Sequence, residues 1–233
     1  MTPESVSHRG ILLQLALDMT DLAAALRVAA AAAPHVDRVE VGTPLLMAAG
    51  LSAVRALRQL LPAAVLVADT KICDAGERMA AAAFAAGADM VTVVAAAADA
   101  VTWAGILQAA RRLPPRPATG CVMADLIGCA DLFKAAQAAW TLGADYLCVH
   151  LPKQDSHSGA SPLWQGALAQ AARVARDVPV PVYLAGGLRP QDMPQVLETG
   201  ARGVIVGGAI AGAADPGAMA RSFRVDHPRA GGS

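Results

Sequence analysis

The sequence predicts a single (β/α)₈ barrel, and three observations lead to that prediction. Short apolar runs rich in β-branched residues recur, and an Ala/Leu-rich stretch with helical spacing follows each one, as in a parallel sheet. This cycle occurs eight times. The strand-like runs have few polar positions, as expected when helices cover one face and the barrel interior fills the other. We expect one domain over residues 1–233 with its core at about 11–224; a doubly wound open sheet is the alternative.

Each predicted strand is bounded by turn or helix signals. The first, ILLQLAL, ends at Asp18, and the next two, VDRVEV and AVLVAD, are rich in Val. The fourth and sixth begin in the similar phrases GADMVTV and GADYLCV, where a Gly ends a helix. The fifth, TGCVMADL, the seventh, VPVYLA, and the eighth, GVIVG, keep the apolar pattern. The predicted strands are therefore 11–17, 36–41, 64–69, 89–94, 119–126, 145–150, 180–185 and 203–207.

Composition excludes several classes of protein. The 19 basic residues balance 19 acidic ones and form no basic run, which argues against a nucleic acid partner. Gly and Asp interrupt the longest apolar stretches, and the amino terminus lacks a secretion signal, so we expect a cytoplasmic protein without a membrane anchor. The cysteines show no CxxC pair and are expected to be reduced, mostly buried thiols: Cys73, Cys121, Cys129 and Cys148.

Charged residues gather at the predicted carboxyl ends of the strands. In a barrel these positions face the mouth where active sites lie. Burying so many charges without partners would cost several kcal/mol per ion, so they must pair with one another or hold a cation. The candidates are Asp18, Glu40, Asp69, Lys71, Asp74, Asp125 and His150.

Two of these candidates suggest a metal site. Glu40 and Asp69 come from adjacent strands and could share Mg²⁺, which prefers oxygen ligands. Lys71 lies between Asp69 and Asp74 in sequence, and two flanking carboxylates would keep it cationic. The alternative is a purely structural salt-bridge cluster at the corner between strand and helix.

Structural roles also remain open for the other polar candidates. Asp18 and Asp125 could cap helices or bond to loops, and His150 could be a structural histidine. Their joint placement at one end of the barrel favours function.

Paired glycines follow the last two predicted strands. Gly186 and Gly187 follow the seventh strand, and Gly207 and Gly208 follow the eighth. Phosphate sites of barrels favour these loops because backbone N–H groups there can approach an anion. We therefore expect a phosphate-bearing substrate.

The motifs resemble a known family. DTKICDAGE (69–77) is similar to the Asp-X-Lys-X-X-Asp pattern of the orotidine-5'-phosphate decarboxylase superfamily. LQLALD, VEVGTPL, MADLIG and VGGAIAGAADP resemble its branch of 3-hexulose-6-phosphate synthases and 3-keto-L-gulonate-6-phosphate decarboxylases. The resemblance runs from about residue 12 to residue 224.

This resemblance implies a Mg²⁺-dependent homodimer that stabilises a 1,2-enediolate of a pentulose phosphate. The synthases add formaldehyde to ribulose 5-phosphate through that enediolate, and the decarboxylases form a similar one by losing CO₂. The resemblance implies that Glu40 and Asp69 bind the metal and that Lys71 stabilises the enediolate. It also implies that Asp18 orients substrate hydroxyls, that Asp74 extends into the partner's site and that His150 transfers a proton.

Individual residues distinguish the synthases from the decarboxylases only in part. Ala185, Gly208 and Asp125 are similar to synthases, whereas Lys153, three residues after His150, resembles the decarboxylases and would contact substrate. Residues 151–162 depart from the family pattern, which suggests a changed carbonyl partner. We expect an aldolase of the synthase type that joins formaldehyde or a related aldehyde to ribulose 5-phosphate, or the reverse. A decarboxylase, a Schiff-base aldolase and a non-catalytic sugar-phosphate-binding barrel are the alternatives.

Overall fold

The computed structural model describes residues 10–113, 119–152 and 162–224, which form a closed barrel of eight parallel strands. Each strand pairs with its neighbour in sequence, and β1 pairs with β8, so the predicted barrel is confirmed and the open sheet is wrong. The strands are β1 Leu12–Leu17, β2 Arg38–Val41, β3 Val65–Ile72, β4 Met90–Val94, β5 Cys121–Asp125, β6 Tyr146–His150, β7 Val182–Ala185 and β8 Gly203–Val206.

Helices follow every strand. Aspartates accept backbone N–H groups at the starts of several helices, where intrahelical acceptors are missing; Asp21 does this before α1 and Asp99 before α5. The α-helices are α1 Leu22–Ala32, α2 Thr43–Ala49, α3 Ser52–Leu60, α4 Gly76–Ala85, α5 Ala100–Arg111, α6 Leu132–Thr141, α7 Pro162–Asp177, α8 Met193–Glu198, α9 Gly208–Ala211 and α10 Pro216–Ser222. None of those within the described ranges is long and apolar enough to cross a membrane.

The third strand differs from its predicted bounds. It continues past Asp69 to Ile72, and its register against β4 shifts between Ala68 and Ile72. Lys71 within this irregularity has φ +44, a left-handed conformation that side chains other than glycine seldom adopt. The irregularity re-aims the end of the strand, as bulges near active sites commonly do.

Apolar and aromatic side chains fill the amino-terminal half of the barrel interior. Tyr146 and Tyr183 pack edge to face, and the guanidinium of Arg38 lies 4.3 Å and 4.7 Å from their ring centroids. A side chain at Gly203 would overlap the Tyr183 ring, so this position must be small. This layer fills the amino-terminal part of the interior, and the cavity formed by the described residues opens at the carboxyl ends of the strands.

Candidate active site

A cavity of about 850 Å³ opens at the carboxyl ends of the strands. All eight strands or the residues that follow them contribute to its wall. Most of the predicted site residues line it: Asp18, Glu40, Asp69, Lys71, Asp125, His150, Gly186, Gly187, Gly207 and Gly208. Asp74 is absent from this wall, and Lys153 lies outside the described residues.

Asp69 is held by one hydroxyl group from the start of α2, just after β2, and by one from β4. Its Oδ2 accepts from the Thr43 hydroxyl at 2.7 Å and from the Thr43 N–H at 3.3 Å. Its Oδ1 accepts from the Thr92 hydroxyl at 2.8 Å and lies 3.3 Å from Nζ of Lys71. The Thr92 hydroxyl also accepts from the Lys71 backbone N–H at 2.9 Å. Thr92 therefore fixes both the Asp69 carboxylate and the strained backbone of Lys71.

Lys71 reaches across the cavity mouth from β3 to β5. Its Nζ lies 2.6 Å from Oδ2 of Asp125 as well as 3.3 Å from Oδ1 of Asp69. Burial alone would lower the pKa of the Lys71 ammonium, but the charge of Asp69 and the contact with Asp125 outweigh burial and raise the pKa above its usual range. Lys71 is therefore a cation at any physiological pH.

Asp125 links the ammonium to the imidazole. Its Oδ2 accepts from Lys71, and its Oδ1 lies 3.1 Å from Nε2 of His150 and also accepts from the Ile127 N–H. Burial alone would raise the pKa of this carboxyl, but His150 and Lys71 lower the pKa to about 2. The carboxylate stays ionised and orients both neighbours.

Within the described chain, the second carboxylate beside Lys71 is Asp125 and not Asp74, the residue that the sequence suggested. Lys71 pairs with Asp69 and Asp125, whereas Asp74 is exposed in the turn before α4. The left-handed backbone at Lys71 turns its side chain into the mouth, while the chain leaves the barrel at Asp74. The expected effect, a lysine kept cationic by two carboxylates, nevertheless holds with a different second partner.

Three carboxylates crowd the β1–β3 side of the cavity. Glu40 is buried, and its Oε2 accepts from Nε2 of Gln14 at 2.8 Å. Burial and the nearby charge of Asp69 raise the pKa of Glu40 well above its usual range. Loss of hydration and Asp69 likewise raise the pKa of Asp18. This repulsion is relieved when the group takes up a cation, and its donors are all hard oxygens, so it fits Mg²⁺.

The space around Asp18 depends on two glycines. A Cβ at Gly42 would overlap Oδ1 of Asp18, and a Cβ at Gly207 would lie 2.8 Å from its Oδ2. Gly207 therefore has a packing role in addition to the backbone role expected from the sequence.

The glycine loops after β7 and β8 form part of the cavity wall. Gly186 and Gly187 have φ values of +110 and +63, and a Cβ at Gly186 would overlap the Leu151 carbonyl. Gly208 begins the short helix α9, whose first N–H groups lack intrahelical acceptors. The cation Arg189, two residues after Gly187, also lines the cavity here.

Sequence reasoning missed four residues of this site. Thr92 was visible as a polar residue inside an apolar strand, and Thr43 follows the second strand directly. Gln14 lies within the first strand at a position facing the barrel, where a polar residue is unusual. Arg189 follows the glycine pair that the sequence did identify.

Fold and cavity together define a class: a closed (β/α)₈ barrel whose third strand carries an Asp-X-Lys motif at its carboxyl end, facing a cavity lined on the β7–β8 side by paired glycines. The chain belongs to the Orotidine 5'-phosphate decarboxylase / HUMPS family, which matches residues 12–223. The family resemblance predicted from the motifs is thus confirmed.

Similar proteins cover nearly all of the chain. A 3-hexulose-6-phosphate synthase from Mycobacterium gastri is 41% identical over 212 residues, covering 91% of this chain and 97% of that protein. A 3-keto-L-gulonate-6-phosphate decarboxylase from Escherichia coli is 35% identical over 213 residues, covering 91% and 92%. A crystal structure of a 3-hexulose-6-phosphate synthase superposes with a TM-score of 0.78 at 38% identity, covering 91% of this chain and 98% of that one.

Proposed function

We propose that the protein is a Mg²⁺-dependent aldolase of the hexulose-6-phosphate synthase type. It would join formaldehyde or a related aldehyde to ribulose 5-phosphate through a 1,2-enediolate, or catalyse the reverse cleavage. The observation that carries the proposal is the Lys71 ammonium, fixed between Asp69 and Asp125 in a cavity whose β7–β8 wall contains paired glycines. Similarity to the synthase over 91% of the chain supports it.

The electrostatics favour an enediolate and argue against an imine. A Schiff base requires a neutral lysine amine. Asp69 and Asp125 instead raise the pKa of Lys71, so its ammonium is preorganised to stabilise the negative charge that develops on an enediolate oxygen. Borohydride trapping is therefore expected to give no covalent adduct at Lys71.

His150 is placed to move a proton. An ionised carboxylate can only accept hydrogen bonds, so in the contact between Oδ1 of Asp125 and Nε2 of His150 the hydrogen is on Nε2. In the neutral imidazole, Nδ1 is then the basic nitrogen. In the proposed reaction Nδ1 takes the proton from C1 of ribulose 5-phosphate, and Lys71 stabilises the resulting enediolate. Its C1 then attacks the aldehyde carbon, and the proton held by His150 passes to the aldehyde oxygen. Asp18 at the rim would orient substrate hydroxyls.

Glu40 and Asp69 are the residues that would hold Mg²⁺. Bound there, the ion would supply further positive charge to the oxygens of the enediolate. Asp69 already contacts four donors, of which the Thr43 N–H and the Lys71 ammonium, both at 3.3 Å, are the longest. Ligation by Asp69 would replace one of these two contacts and leave Lys71 on Asp125.

The phosphate would lie against the glycine loops after β7 and β8. Gly186, Gly187, Gly207 and Gly208 allow its oxygens to approach the backbone closely. Arg189 on the same wall would neutralise its charge.

A decarboxylase that acts on 3-keto-L-gulonate 6-phosphate is the second candidate. The 35% identical Escherichia coli relative favours it, and the same lysine would stabilise the enediolate left by CO₂. A non-catalytic barrel is disfavoured because Lys71, Asp125 and His150 form a connected set of charged contacts at the cavity, which a mere binding role would not require.

The test uses the purified protein with Mg²⁺, ribulose 5-phosphate and formaldehyde, and measures formaldehyde loss. Lys71→Ala should abolish Mg²⁺-dependent consumption, whereas Lys134→Ala, at an exposed lysine on α6, should not. A parallel incubation with 3-keto-L-gulonate 6-phosphate measures CO₂. Release of CO₂ without formaldehyde loss would move the assignment to the decarboxylase, and the absence of both activities would overturn an enzymatic role on these substrates.

We further propose a homodimer in which Asp74 completes the partner's site. Asp74 is exposed and does not line the cavity of its own chain. Exposed apolar residues on the adjoining helices, Met79 on α4 and Val101 on α5, could be covered by a second copy.

Mixing inactive variants tests this arrangement. Lys71→Ala and Asp74→Ala chains would each be inactive alone. After unfolding and joint refolding, roughly a quarter of wild-type activity should return, because about half of the dimers are hybrids with one intact site of two. No recovery, with dimers present by sedimentation, would place Asp74 outside the partner's site.

A further inference from the structure

A second set of potential metal ligands lies on the β5–β6 side of the cavity. Asp125 and Cys148 are paired neighbours in the register of these strands, and His150 is two residues further along β6 on the same face. One ligand atom from each residue lies within 4.8 Å of the other two. All three residues also line the cavity, so a fourth position would be open to it.

We propose that Asp125, Cys148 and His150 form a binding site for a thiophilic divalent cation of the Zn²⁺ class. One carboxylate, one thiolate and one imidazole with an open fourth position is the donor set of an open tetrahedral zinc site. Mg²⁺ prefers oxygen donors only, so it would select the separate Glu40 and Asp69 group. The two sites are thus distinguished by the chemistry of their ligands.

The geometry requires only a small adjustment. Zinc bond lengths of about 2.0–2.3 Å hold tetrahedral ligand atoms roughly 3.3–3.8 Å apart. The atoms here lie within 4.8 Å of one another, so side-chain rotation must close a gap of at most about 1.5 Å. Burial and the nearby charge of Asp125 raise the pKa of the Cys148 thiol well above its usual range, so the thiol loses its proton only as the metal–sulfur bond forms.

The electrostatic surroundings tolerate the added charge. Asp18, Glu40 and Asp69 face the same cavity as Asp125, and Lys71 is the cation in contact with Asp125 on the other side. The ion would take Oδ1 of Asp125 and a ring nitrogen of His150, which breaks their 3.1 Å contact. A bound ion would therefore block proton transfer by His150 and act as an inhibitor.

Direct metal binding tests the site without any activity assay, so the result does not depend on the proposed reaction. The protein in excess Mg²⁺ is titrated with Co²⁺, which reports thiolate ligation by a charge-transfer band in the near ultraviolet, and Zn²⁺ is then added in competition. We expect the band in wild type and its loss as Zn²⁺ displaces Co²⁺. Zn²⁺ affinity is measured by calorimetry.

Cysteine variants locate the ligand. Cys148→Ala should remove the band and weaken Zn²⁺ binding at least about tenfold; Cys148→Ser, closer in size, repeats the test if the alanine variant does not fold. The matched control is Cys121→Ala, another buried cysteine of the barrel interior, and Cys129→Ala tests the half-buried thiol after β5. An unchanged band in the Cys148 variants, its loss in Cys129→Ala instead, or no band in wild type would overturn the proposal.

Discussion

Replacing Thr92 with Val removes the hydroxyl that joins the two halves of the Asp69–Lys71 motif. This hydroxyl donates to Oδ1 of Asp69 at 2.8 Å and accepts from the Lys71 N–H at 2.9 Å, and Thr92 is buried. A hydrogen bond to a charged group contributes about 1.5–3 kcal/mol and a neutral one about 0.5–1.5 kcal/mol. We therefore expect the free energy of unfolding to fall by roughly 2–4 kcal/mol.

Urea unfolding followed by circular dichroism measures this loss, and the melting temperature should fall by roughly 5–15 °C. The matched control is Thr70→Val, which removes one neutral bond from Thr70 to the Thr92 carbonyl and should cost only about 1 kcal/mol. Enzyme turnover should fall in Thr92→Val at temperatures where the protein stays folded, because Lys71 loses its backbone anchor. Equal stability of the two variants would refute the bridging role.

Two further predictions concern the charged groups. The pKa of Asp125 falls from 3.8 to about 2 on folding, so between these pH values the folded state binds fewer protons than the unfolded state. Asp125 therefore contributes roughly 2 kcal/mol to the free energy of unfolding above pH 4, and this contribution is lost as the pH falls through 2. Unfolding measured from pH 5 to 2 should show the stability difference between wild type and Asp125→Asn shrinking, and a constant difference would contradict the linkage. Arg189→Gln should raise KM for the sugar phosphate about tenfold with little change in kcat, unlike Arg176→Gln on the surface of α7; an unchanged KM would exclude Arg189 from the phosphate site.

The strand pattern was sufficient to predict the barrel and the end at which charges gather. A buried parallel strand has apolar residues on both faces, so most of the eight were visible as apolar runs followed by a helical stretch, whereas the second also carries Arg38 and Glu40. The same logic placed Asp69 and His150, since each ends an apolar run and must face the mouth. These predictions need only local sequence.

The pairing within the site could not be predicted in this way. Lys71 and Asp125 are 54 positions apart, and they meet only because β3 continues to Ile72 with an irregular register and a left-handed residue. Nothing in the local sequence distinguishes this backbone conformation from one in which Asp74, three residues away, is the partner of Lys71. Backbone irregularities at functional sites are set by the surrounding structure rather than by local propensity.

The donor chemistry divides the cavity into two sides, with Lys71 between them. On the β1–β3 side the ligand atoms are carboxylate oxygens alone, whereas the β5–β6 side adds the Cys148 sulfur and the His150 nitrogen. Lys71 contacts one carboxylate on each side, so a cation bound on either side competes with its ammonium for the same negative charge. A hard ion bound by Asp69 would leave Lys71 in contact with Asp125, and Asp125 would still orient His150. A thiophilic ion that took Oδ1 of Asp125 would weaken the attraction between this carboxylate and Lys71 and would remove the orientation of His150. The position of one lysine thus couples the two sides, which makes a hard ion compatible with the proposed proton transfer and a thiophilic ion incompatible with it.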